Sequence, residues 1–136
     1  MDKSLYLEKN ISQQPAIDLL RSMGYIYISP EDCEAQRGSR YHVLLKDILR
    51  GQLRRLNRYA FAGAENEFSA ANIERAMEDL DEPLTDGLIR SSEKIYDALL
   101  LGKSYPETVG EGKTLSFNLK YIDWEHPENN LFHVTE

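Results

Sequence analysis

The apolar positions of this chain follow a helical period first and a strand period later. Ala16, Ile17, Leu19, Leu20 and Met23 recur at three- and four-residue spacing, which predicts a helix over 12–23. Ser12 stands where an N-cap belongs and Ile11 where a hydrophobic staple does. Pro15 falls in the first turn, where its missing N–H costs little. Gly24 suits the left-handed position past the helix end. Tyr25-Ile26-Tyr27-Ile28 is β-branched and aromatic and predicts a short strand. Ser29-Pro30-Glu31-Asp32 places a cap, a proline and two acids in the order that starts a helix, here one ending near Gly38.

Leu44, Leu45, Ile48, Leu49, Leu53 and Leu56 predict the strongest helix, over 41–57. Residues 60–67 read as a connection. Ser69 caps a helix through Leu80 with Ile73, Ala76, Met77 and Leu80 inward. Pro83 breaks the chain, and a helix over 84–101 follows. Its inner stripe is Leu88, Ile89, Ile95, Tyr96, Leu99 and Leu100, and Gly102 ends it. Residues 103–113 read as a Gly- and Pro-containing loop. Leu115, Phe117, Leu119 and Tyr121 then alternate with polar residues, a half-buried strand extending from Thr114 to Trp124. His126-Pro127-Glu128-Asn129-Asn130 is a turn, and Leu131 to Thr135 resumes strand character.

The fold class is therefore α+β and mainly helical, with four to five helices and strands at Tyr25–Ile28, Thr114–Trp124 and Leu131–Thr135. One domain over 1–136 is expected, with 1–10 loose. The last strand meets the chain end without a closing element. That leaves backbone groups without partners, so the sequence is expected to continue past Glu136.

Composition narrows the class without naming a function. The chain has 136 residues, 41% hydrophobic and 29% charged, which is ordinary for a globular domain. It has no apolar run long enough for a membrane span and no apolar core of a signal peptide after Met1. A single cysteine, Cys33, cannot form an internal disulfide, which suits a reducing, cytoplasmic setting.

Charge changes the picture more. The net charge is −7, yet Arg37, Arg40, Lys46, Arg50, Arg54, Arg55 and Arg58 crowd one stretch that holds a single acid, Asp47. Lys46, Arg50, Arg54 and Arg58 are four apart, which places them along one helix face opposite the leucines. Such a row can track a phosphate backbone, and these four are the candidate DNA-binding residues. The competing reading is a solvated outer face paired with the acidic helices over 69–80 and 84–101.

The other candidates carry less. His126, Glu128 and His133 lack a zinc-ligand spacing, and Cys33 has no nucleophile signature around it. Asp123 and Glu125 share a strand face at i, i+2 and could bind a divalent ion; a solvent-facing pair is the commoner outcome. No phosphate-binding loop, dinucleotide fingerprint or nucleophile elbow occurs. No catalytic, cofactor-binding or metal residues are assigned.

Several stretches resemble the N-terminal region of the R (restriction) subunit of type I restriction–modification enzymes. These are Leu19 to Tyr25, Val43 to Leu49, Asp86 to Arg90, Glu93 to Asp97 and, most specifically, Leu119-Lys120-Tyr121-Ile122-Asp123-Trp124-Glu125-His126-Pro127-Glu128-Asn129-Asn130. The resemblance runs from about Lys9 to Glu136. It implies a parent that cleaves DNA and moves on it with ATP, working with modification (M) and specificity (S) subunits. It also implies that this region opens a nuclease domain in which an Asp and an acid-x-Lys pair on adjacent strands hold Mg²⁺. Glu111-Gly112-Lys113 has that literal spacing but falls in a loop with no preceding Asp strand. The resemblance places the catalytic strands after the segment resembling 119–136, and the ATP-driven motor further on. The resulting expectation is a front part of a nuclease domain that lends scaffold and DNA contacts. The alternative is a stand-alone docking or regulatory module of a DNA-processing complex, presenting its acidic helices as the docking face.

Overall fold

The computed structural model describes residues 12–38, 43–81 and 87–136. They group into two compact units, Met1–His42 with Leu131–Glu136, and Val43–Asn130. Expectations for Ile11, the loose residues 1–10, and the helix starts at Tyr41 and Leu84 beside Pro83 lie outside the described residues.

In the first unit, α1 spans Gln14–Ser22 with Pro15 in its first turn. The N-cap position falls on Gln13, which is already helical and makes no side-chain cap bond, rather than on Ser12. Only Ile17 of the expected apolar face is buried; Leu19 and Met23 are exposed. Gly24, at φ +102°, turns the chain into β1, Ile26–Tyr27. β1 runs parallel to β6, His133–Val134, so both terminal strands are shorter than the sequence suggests. The N–H groups of Ile26 and Ile28 donate to Phe132 and Val134 carbonyls at 2.8 and 2.9 Å. α2, Pro30–Arg37, forms as its sequence dictates: Ser29 Oγ accepts from the Asp32 N–H, and Gly38 closes it with a left-handed φ of 77°. Cys33 is buried in this helix.

The larger unit begins with α3, Lys46–Leu56. Val43 to Leu45 are not helical, so the helix is shorter at its start than the leucine pattern predicts. Residues 60–67 are not a plain connection. They belong to a hairpin of β2, Arg58–Phe61, and β3, Ala64–Glu67, with Phe61 paired to Ala64. Ala62 and Gly63 both have positive φ, as a type I′ turn requires. α4, Ala70–Leu80, starts on Ser69, whose Oγ accepts from the Asn72 N–H. α5 spans Leu88–Leu101.

The expected inner stripe of α5 is only partly packed: Leu99 meets the core and Ile95 is half-buried, while the rest faces outward. Leu88 and Ile89 are 69% and 75% exposed, and Tyr96 and Leu100 are exposed too. Ser91 is buried, and Ala98 and Leu99 pack on the core. Apolar residues lie on both sides of this helix, and the packed side runs through Ser91, Ala98 and Leu99, at i, i+7 and i+8.

Residues 103–109 form β4, Lys103–Val109, rather than a loop. β4 pairs antiparallel with β5, Lys113–Leu119, from Lys103 opposite Leu119 to Val109 opposite Lys113. Tyr105, Glu107 and Val109 face inward. The buried Glu107 carboxylate accepts from the Ser69 N–H and from Asn72 Nδ2, both at 2.8 Å, and so serves the start of α4. β5 stops at Leu119, five residues short of the expected end at Trp124. The core of this unit is Leu53, Phe68, Ile73, Ala76, Met77, Tyr105, Leu119 and Tyr121. Among the described residues no helix is long and apolar enough to cross a membrane.

Two glycines separate conformational need from simple tolerance. Gly102 has φ +74°, and a Cβ there would run into the Leu119 carbonyl and the Asn118 side chain. Gly51 lies inside α3 with open space around it. Gly102→Ala is expected to destabilise by more than about 1 kcal/mol, and Gly51→Ala to stabilise by about 0.5–1 kcal/mol, as read from urea unfolding midpoints.

Candidate functional site

The basic row begins on α3 and does not stay on it. Arg50 reaches across to α4, with Nε 2.5 Å from Glu74 Oε1 and Nη2 3.4 Å from Oε2, and Nη1 holds Asp47 at 3.1 Å. The Arg50 hydrogen bond, with the charges of Arg50, Arg54 and Lys46, holds the Glu74 carboxyl below the usual range against the opposing effect of burial. The same hydrogen bond raises Arg50. Asn57 ends the helix, so Arg58 opens β2 and leaves the four-residue spacing. Its Nη1 lies 3.1 Å from Glu67 Oε1 and donates to the Arg54 carbonyl. Arg54 is exposed and Lys46 partly so. The expected row is thus brought together only in part. Arg50 pairs with Glu74 of the acidic α4.

The segment Lys120–Asn130 carries a dense polar network. Asp123 and Glu125 do not share a strand face: Asp123 is buried, Glu125 is exposed, and neither lies in a strand. Asp123 Oδ1 accepts from the His126 N–H at 3.0 Å. Oδ2 accepts from Asn129 Nδ2 at 3.0 Å and lies 3.3 Å from Lys120 Nζ. The main-chain N–H and carbonyl of Asp123 bind the two ends of the Asn130 carboxamide, each at 2.9 Å. Donation by Asn129, then by the His126 N–H and by Lys120, brings the Asp123 carboxyl down to about 2, against the effect of burial. With both oxygens occupied by donors, this carboxylate is a structural hub rather than an open cation ligand.

That segment is bolted to α3. Asn57 is buried; its Oδ1 accepts the Lys120 N–H at 2.8 Å, and its Nδ2 donates to the Lys120 and Leu53 carbonyls at 2.8 and 3.0 Å. Gln52 Nε2 and Arg55 Nη2 both donate to the Asn129 carbonyl. The sequence pattern points to neither Asn57 nor Gln52 as a partner of this segment, and to Arg55 only as one of the basic group. The one available signal is the Asn129-Asn130 pair, whose amides demand partners if buried.

His126 Nδ1 lies 3.6 Å from Glu128 Oε1 with both residues exposed, while His133 belongs to β6. Glu111 sits at positive φ in a 3-10 turn over Gly110–Gly112. Among the described residues no group of three or more His, Cys, Asp or Glu is placed to hold a metal. In the core, Tyr105 Oη donates to Asp79 at 2.5 Å, and Tyr121 Oη donates to the Ala76 carbonyl at 2.7 Å. Burial first, and Asp79 second, push the Tyr105 phenol far above its ordinary range, so it stays protonated and structural.

Asp123→Asn replaces an acceptor with a donor facing the His126 N–H, Asn129 and Lys120. The folded-state carboxyl sits lower than the ordinary Asp value of about 3.9. Its contribution is therefore complete above about pH 4 and lost as pH falls toward 2. The variant is expected to melt below the parent at pH 7, with the gap in Tm narrowing as pH drops below about 4. A gap independent of pH would contradict this.

Across residues 5–136 the chain matches the family described as the N terminus of the type I restriction enzyme R protein, and it belongs to that family. No curated protein and no solved structure gives a significant match.

Proposed function

We propose that this N-terminal part of a type I restriction enzyme R subunit serves Mg²⁺- and ATP-dependent DNA cleavage by a complex that includes M and S subunits. Its role there is scaffold and a source of phosphate contacts. The observation that carries this reading is the family match over nearly the whole chain. The described residues do not suit a metal centre: Asp123 has both oxygens taken, and no acidic or His/Cys cluster stands ready. Mg²⁺ and ATP enter this reading as what the family resemblance implies for a full-length R subunit, and the contribution proposed for this chain is positional.

Among the four candidate cations, geometry ranks them. Arg50 and Arg58 already face Glu74 and Glu67, which lowers their attraction for a phosphate. Lys46 and Arg54 add their charge to the same field around Glu74. They are the leading contacts for a duplex backbone, which binds cations by counterion release irrespective of base sequence.

Charge reversal at Lys46 and Arg54 together, in the full-length subunit, is expected to weaken DNA binding at least tenfold at about 0.1 M salt. The salt dependence should become shallower by about two phosphate contacts. Unchanged affinity and slope would leave α3 a purely structural helix.

A further inference from the structure

The last turn of α5 and the residue Trp124 form an apolar surface that no described residue of the larger unit covers. Leu101 is 69% exposed, Leu100 47% and Trp124 58%. The Trp124 ring does not sway freely. Its Nε1–H donates to the Leu99 carbonyl at 2.9 Å, one of the carbonyls left over at the helix C-terminus. The helix end is itself pinned, because Gly102 closes against the Leu119 carbonyl and donates its N–H to Ala98 at 2.8 Å. The surface is therefore organised before anything binds, which reduces the entropy lost on docking.

Two hollows flank this turn and meet at Leu101 and Gly102. One, of about 610 Å³, lies toward Glu78, Asp97 and Ala98. The other, of about 280 Å³, lies toward Trp124 and Glu125. The charges around them are uneven. Lys103 is held by Asp79 at 3.0 Å and Lys120 by Asp123 at 3.3 Å. Around the two hollows the acids Glu78, Asp79, Asp97, Asp123 and Glu125 outnumber the lysines Lys94, Lys103 and Lys120. An aromatic and aliphatic centre inside an acidic rim is complementary to an amphipathic helix with apolar anchors and basic flanks.

We propose that the C-terminal turn of α5 with Trp124 is a docking surface for a basic amphipathic helix of a partner protein. It uses none of the cations assigned to DNA, so its test is independent of the proposed function. Leu101 fills the shared edge of both hollows, and Trp124 supplies the large rigid contact that dominates interfaces of this kind.

Trp124 is the only tryptophan of the chain, so its fluorescence reports directly on the surface. The full chain is titrated with a tryptophan-free helical peptide of leucine and lysine, and with its leucine–glutamate counterpart. The lysine peptide should bind saturably with a blue shift, and the glutamate peptide should not. Leu101→Glu discriminates docking from bulk attraction, because it adds negative charge. Docking predicts binding weaker by at least about tenfold, whereas charge alone predicts binding as tight or tighter. Glu125→Lys, an exposed reversal, should weaken binding too. Equal binding of both peptides, or undiminished binding by Leu101→Glu, overturns the proposal. A blue shift that grows with protein concentration alone, alongside a dimer in sedimentation, would give the surface to a second copy and also overturn it.

Discussion

One buried carboxamide sets the geometry of the larger unit. Asn57 binds both main-chain polar groups of Lys120, a residue 63 positions away, while its Nδ2 also holds the Leu53 carbonyl near the end of α3. A side chain here does what a neighbouring strand would do: it satisfies a donor and an acceptor of the same residue as the chain leaves β5. Leu53 and Leu119, fully buried beside this junction, seal it from water. In that dry setting an unpaired amide would cost about 1–3 kcal/mol, so the junction tolerates little alternative arrangement.

From that anchor the family-specific segment follows a defined course. Asp123 gathers the His126 N–H, Asn129 and Lys120, and Asn130 folds back on the Asp123 main chain. Gln52 and Arg55 then return the segment to α3 through the Asn129 carbonyl. The most recognisable sequence of the chain is thus a fold determinant. The same economy governs α3, where Arg50 and Arg55 bind within the unit while Arg54 is exposed and Lys46 partly so. A helix that looks like a plain basic stripe also works as an internal strut through Arg50 and Arg55.

Local signals were legible and distant ones were not. α2 and α4 follow from Ser29 and Ser69, because a cap bond spans only three residues. The β2–β3 hairpin was hidden because Ala62, not Asn or Asp, occupies a position of positive φ. β4 was hidden because Glu107 sits at an inward position and Pro106 and the following glycines mimic a loop; its carboxylate is satisfied by Ser69 and Asn72, which no local pattern reveals. α5 carries apolar residues on both sides, so periodicity alone could not tell the face packed through Ser91 and Ala98 from the exposed one. The basic residues were found as a group, but their partners Glu74 and Glu67 lie on other elements.

The central claim is that Lys120–Asn130, with almost no regular secondary structure, is as firmly held as the helices it binds. Residue-resolved amide hydrogen exchange on the folded chain tests it most directly. The N–H groups of Lys120, Asp123 and His126 donate to Asn57, Asn130 and Asp123, and should exchange as slowly as those in the middle of α3 and α4. Exchange of all three at the rate of an unprotected loop, with α3 still protected, would contradict the account.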